Sequence, residues 1–270
     1  WNDGVRAGRI LAGTDLAESQ NEGEEEGQET TTHRQVNIFT EVGDGYAAGK
    51  WGRYLRAPDL YFEIMKRFGH RFIALGEIAQ IHRGITSGCD AFFMPWDVTQ
   101  KMLDAQRSDQ AFRESTGGAP RKDVEAGRLK IVEAGDGTFH PIESKYLAPE
   151  VHGPMQVDRP ILRTVALDRV VLLVGEPMDR LKTKAPWVYR YLRYGMTATF
   201  ASKKSKPVPV PKRSTCAGRE PWYDLTALVR PGIACWPKSQ QYRHIIAANP
   251  ERVICNCNLY DITSDRLTEP

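Results

Sequence analysis

Between Arg180 and Arg219 the chain runs forty residues with eleven Lys or Arg and no Asp or Glu. Such a stretch cannot neutralise itself. It has to lie at the surface or be met by carboxylates from elsewhere in the fold. The rest of the chain holds 26 basic and 34 acidic residues, so a net charge of +3 is a +11 segment attached to a −8 body. Trp187, Tyr189, Tyr191, Tyr194 and Phe200 lie among these cations. Cations spaced among flat apolar rings suit a polyanion with stackable bases, because Lys and Arg neutralise phosphates and release counterions while rings and guanidinium planes stack. The competing reading is a solvated surface helix followed by a basic loop.

At 270 residues the chain can bury a real core and is expected to form one or two domains. A charged fraction of 26% against 41% hydrophobic residues matches a soluble globular protein. No apolar run approaches the ~20 residues of a membrane helix, and no secretory signal opens the chain. Residue 1 is Trp and not Met, so the chain is expected to be a piece of something longer. Five Cys without a framework spacing point to reduced thiols and a cytoplasmic location. Cys255 and Cys257 would share one face of a strand as buried thiols. Zinc pairs usually stand further apart, and no His pair lies nearby.

The run Glu18–Glu29 carries six Glu and no base, which cannot bury apolar area to offset its ordering entropy. Residues 1–49 are therefore expected to be a largely irregular tail, with order beginning near Lys50. Pro58 and Asp59 suit a first helical turn, Tyr61, Ile64, Met65 and Phe68 form one apolar stripe, and Gly69 suits the C-terminal cap. From Leu75 the pattern predicts a strand to about His82, a turn over Arg83–Gly88, and a second strand entered through Phe92 and Phe93. Arg83, Thr86 and Ser87 would project from that turn as short donors suited to a phosphate or a base edge. Further on, 97–116 reads as helix. Strands are predicted at 130–132, 138–142, 157–165 and 169–174. A helix over 184–194 turns Trp187, Tyr191 and Tyr194 toward the body. Pro207, Pro209 and Pro211 predict a stiff, extended basic loop over 201–219. Its best phosphate ligands are Lys203, Lys204, Lys206, Lys212 and Arg213. The last strands are expected near 231–236, 252–256 and 259–263.

Gly43-Asp-Gly45 and Gly135-Asp-Gly137 lack the strand, helix and third glycine of a dinucleotide loop. Glu143-Ser-Lys145 with Asp136 has the acid-x-Lys form of a Mg²⁺-dependent nuclease, in which two carboxylates hold the metal and Lys orients water. That nuclease is one alternative. A protein-interaction module using the basic loop against an acidic partner is another.

Several segments together resemble one family: Lys50-Trp-Gly-Arg-Tyr-Leu-Arg-Ala-Pro-Asp59, Leu75-Gly-Glu-Ile-Ala with Arg83-Gly-Ile-Thr-Ser-Gly88 and Phe92-Phe93, Ile142-Glu-Ser-Lys-Tyr-Leu-Ala-Pro149, and Arg219-Glu-Pro-Trp-Tyr223. They resemble the C-terminal specificity region of TaqI-like N6-adenine DNA methyltransferases, including fused restriction–modification enzymes, over about residues 50–265. The resemblance implies a mixed α/β (α+β) target-recognition domain over 50–270, with short mixed sheets and packed helices. It also implies an upstream catalytic domain of the same polypeptide, which binds S-adenosylmethionine and flips the target adenine. That domain's Asn-Pro-Pro-Tyr-type tetrapeptide is missing here, since Asn249-Pro250 continues into Glu251-Arg252. No catalytic, cofactor or metal residue is therefore expected in this chain. What the resemblance implies is recognition of double-stranded DNA. The turn residues Arg83, Thr86 and Ser87 would approach bases or adjacent phosphates, and the basic loop and Arg219 would hold the backbone.

Overall fold

In the computed structural model, residues 57–200, 207–239 and 245–266 are described. Chain contacts separate two compact units, which divide between Ile78 and Ala79. The expected tail–domain boundary at 49/50 lies outside the described residues.

In the first unit, helix α1 spans Asp59–Phe68. Pro58 and Asp59 suit its start for the reasons read from the sequence: a preset φ and an acid in the first turn. Of the apolar stripe only Met65 is buried, while Ile64 and Phe68 are exposed. Gly69 does not end the helix in a left-handed cap but continues into a 3₁₀ turn, Gly69–Arg71. Leu75–Ile78, expected as strand, forms a short helix, α2.

The second unit begins with strand β1, Gln80–Arg83. After it the chain makes no hairpin. Asp90–Phe93 is a helical turn, α3, and its two Phe rings are completely buried. A strand over Phe92–Phe93 would have sent the rings to opposite faces; the helical turn places both in the core. Next come β2 (Trp96–Asp97), helices α4 (Thr99–Ala105), α5 (Asp109–Ser115) and α6 (Arg121–Glu125), and the hairpin of β3 (Leu129–Glu133) and β4 (Phe139–Glu143). Strand β5 (Leu147–Val151) was not expected, and 157–165 holds no strand beyond a single bridge at Ile161. The chain then runs through β6 (Arg169–Leu172) and helices α7 (Met178–Lys184) and α8 (Pro186–Gly195). It continues with α9 (Ser214–Ala217) and strands β7 (Ala234–Pro237), β8 (Ala247–Ala248), β9 (Ile254–Cys255) and β10 (Leu259–Thr263).

The strands make two sheets. One has the order β1-β10-β7-β8 and is antiparallel throughout. The other has the order β4-β3-β2-β6-β5-β9, with β5–β9 its one parallel pairing. The fold is thus mixed α/β with short mixed sheets. Its main core joins Phe92 and Phe93 to Val170–Leu172 of β6 and to Val188, Tyr191 and Leu192 of α8. Tyr191 stacks on Phe92 at 4.6 Å and donates its hydroxyl to the Phe92 carbonyl at 2.7 Å. A buried ring with a satisfied polar tip is a core role. Tyr191 is therefore lost to base stacking, as the face assignment from sequence expected. Among the described residues no helix is long and apolar enough to cross a membrane.

Candidate nucleic-acid interface

The turn between β1 and α3 is built against the link that runs from β9 to β10. Gly84 donates to the Leu259 carbonyl at 3.0 Å, Ile85 donates to Cys255 at 2.8 Å, and Cys257 donates back to Ile85 at 3.0 Å. A Cβ at Gly84 would collide with the carbonyl oxygens of Cys255 and Asn256, so glycine is required by close approach. Gly88 has φ +87°, a left-handed conformation, and rests on Thr215 of α9. Between them Ile85 and Ser87 are buried and Thr86 is exposed.

Ser87 corrects one expectation. It does not project: it is completely buried, its hydroxyl donates to the Asp90 carboxylate, and it accepts from the Cys89 amide at 3.0 Å. It is the hinge pin of the turn and is out of reach of a partner. Arg83 and Thr86 remain exposed. The Arg83 Nε donates to the Cys257 carbonyl at 3.1 Å, which fixes the root of the guanidinium.

The basic segment arrives on this same turn. Arg219 donates through Nη2 to the Ser87 carbonyl at 2.7 Å and through Nε to the Trp222 carbonyl at 3.2 Å, with its guanidinium 5.1 Å from the Phe93 ring centre. Arg213 donates through Nη2 to Phe200 at 2.9 Å and reaches the Gly88 carbonyl at 3.5 Å. Both were expected to grip phosphate, but both are half-buried and occupied with main-chain oxygens. Nor is the described part of the expected extended loop extended throughout. Val210–Lys212 is a 3₁₀ turn and α9 follows, because Val210 and Cys216 are fully buried and pull the chain inward. Lys212 is exposed. Lys203, Lys204 and Lys206 lie outside the described residues.

No ion pair to a carboxylate is made by Arg180, Lys182, Lys184, Arg190, Arg193, Lys212, Arg213 or Arg219 among the described residues. Arg190 instead packs on Trp187 at 4.8 Å and donates to the Gly117 carbonyl. The described cations of the segment thus have no described carboxylate within 4.0 Å.

The residues of the nuclease alternative are not brought together. Asp136 sits in the β3–β4 turn, accepting from Thr138 and the Tyr194 hydroxyl. Those hydrogen bonds hold its carboxyl below the ordinary range, against an opposing effect of burial. Glu143 lies at the far end of β4, roughly 13 Å of strand away from its start. It caps α8, accepting from the amides of Trp187 at 2.9 Å and Val188 at 2.8 Å. Lys145 covers the Tyr146 ring at 4.7 Å. Among the described residues no three His, Cys, Asp or Glu converge on one point.

Asn249 is fully buried. Its amide donates to Gly232 and Val253, and its carbonyl accepts from the Val253 amide. It closes a turn and cannot hold a flipped base. Cys255 is buried, whereas Cys257 lies past the end of β9 and is partly exposed, so the two do not share a strand face. Hydrogen bonding with Cys235 and burial push the Cys255 thiol well up, and burial pushes Cys89 up to about 11, so both are protonated at neutral pH. What sequence reasoning missed was the second role of arginine. The one local signal was Cys216 between Arg213 and Arg219, a thiol that the fold buries completely and that draws both arginines inward with it.

No protein-family model matches the chain, and no curated protein matches it.

Proposed function

We propose that this chain is the specificity part of a site-specific adenine-N6 DNA methyltransferase or restriction–modification enzyme, and that it binds double-stranded DNA through the exposed residues Arg83, Thr86 and Lys212. One observation carries the reading. The segment that concentrates the chain's positive charge is drawn onto the Arg83–Gly88 turn through Arg213 and Arg219, while its described cations have no carboxylate partner. Exposed Arg83 and Lys212, which form no described ion pair, together with the exposed hydroxyl of Thr86 suit a phosphate backbone and an adjacent groove. In this reading methyl transfer from S-adenosylmethionine belongs to an upstream domain of the same polypeptide, in the cytoplasm. This chain supplies recognition.

The test is duplex binding by the chain at increasing salt. If six or more phosphates are neutralised, affinity falls by roughly 10³-fold or more between 50 and 200 mM salt. A response that is flat, or competition by an acidic protein but not by unlabelled duplex, would rule the reading out. The second outcome would favour the protein-interaction module.

A further inference from the structure

We infer that Arg213 and Arg219 are positioning residues. They clamp the Gly84–Gly88 turn so that Thr86 meets the DNA groove in one fixed geometry, and they make no phosphate contact themselves. The inference rests on the DNA-binding reading and sharpens it. Each guanidinium bridges the turn to a different part of the chain. Arg219 joins Ser87 to Trp222, and Arg213 joins Gly88 to Phe200. On the other flank the turn is held by Leu259, Cys255 and Cys257 through main-chain hydrogen bonds. Thr86 is the one exposed side chain between buried Ile85 and buried Ser87.

Of the remaining donors, Arg213 Nε and Arg219 Nη1 are buried, so a phosphate does not reach those two atoms. A planar fork can span two carbonyls at a fixed angle, whereas a lysine ammonium is a single point donor. A contacting side chain discriminates only as well as its supporting shell fixes it. The arginines thus act on specificity and Lys212 acts on affinity.

The experiment selects a preferred duplex from a randomised pool with the unaltered chain. It then measures two quantities for each variant: the affinity ratio between selected and scrambled duplex, and the slope of log affinity against log salt. For Arg219→Met the ratio is expected to fall at least tenfold, toward that of Thr86→Ala, with the slope unchanged. For Lys212→Ala the slope is expected to lose about 0.9 with the ratio unchanged. An Arg219→Met chain that loses about 0.9 in slope and keeps its ratio makes Arg219 a phosphate ligand and overturns the inference. The milder Arg219→Lys and Arg213→Lys variants guard against simple unfolding. In both, amide exchange at Ile85, Ser87 and Cys89 should accelerate at least tenfold while the β3–β4 hairpin is unchanged. Unaltered exchange at the turn overturns the inference whatever the DNA result. Failure of the unaltered chain to select any duplex retires the DNA reading and leaves the clamp to be judged by exchange alone.

Discussion

At the scale of single residues, adjacent positions in the turn have opposite duties. Ser87 is buried with its hydroxyl both donating and accepting, and Thr86 beside it is exposed. Ser87→Ala leaves the Cys89 amide and a carboxylate oxygen of Asp90 without that partner, so it should cost about 1–3 kcal/mol. Thr86→Ala should stay within ~0.5 kcal/mol. Urea unfolding midpoints check both. His140 offers a pH signature. Burial holds its imidazole at about 4, below the ordinary 6.5, and nearby Asp136 only partly opposes this. Between those values the unfolded chain binds a proton that the folded chain refuses. The contribution of His140 is full above pH 6.5 and is lost as pH falls to about 4. Replacing His140 by Phe should therefore flatten the fall in stability between pH 6.5 and 4, measured against the unaltered chain. A fall of unchanged steepness would show that other groups set it.

At the scale of elements, α8 shows how one side chain links a strand to a helix. Pro186 at its first turn presets the backbone, and Glu143 at the end of β4 accepts from the first free amides. Glu143→Ala removes both hydrogen bonds and the charge that complements the helix dipole. The expected loss is about 1–2 kcal/mol, read by thermal unfolding. The sequence offered this glutamate as half of an acid-x-Lys triplet. Only its partner in space, 44 positions away, shows it to be a cap. The helix itself was legible, because Trp187, Tyr191 and Tyr194 recur at helical spacing. So were β3, β4, β6 and β10, where apolar runs are bounded by turns. The misread stretch 90–93 is apolar on two consecutive positions, a pattern that strand and helix share.

At the scale of the whole molecule, charge is segregated along the chain, while the described ion pairs contribute little to stability. The described ion pairs lie mostly at the surface, each worth about 0–1 kcal/mol. Raising salt from 50 to 200 mM should therefore move the unfolding free energy by at most ~1 kcal/mol, while DNA affinity changes by orders of magnitude. Chemical denaturation and binding titrations in the same buffers compare the two. Parallel falls in both would mean that salt acts through the fold.

Segregated charge, the periodicities of the longer helices and strands, and the absence of a catalytic tetrapeptide are properties of order along the chain, so the sequence alone determined the mixed class and pointed to a polyanion. The duties of Arg213, Arg219, Ser87 and Glu143 were decided in three dimensions. A donor or acceptor becomes structural or available according to which distant main-chain group reaches it first. Ser87 lies 132 positions from the arginine that fixes its carbonyl, a separation no local pattern encodes.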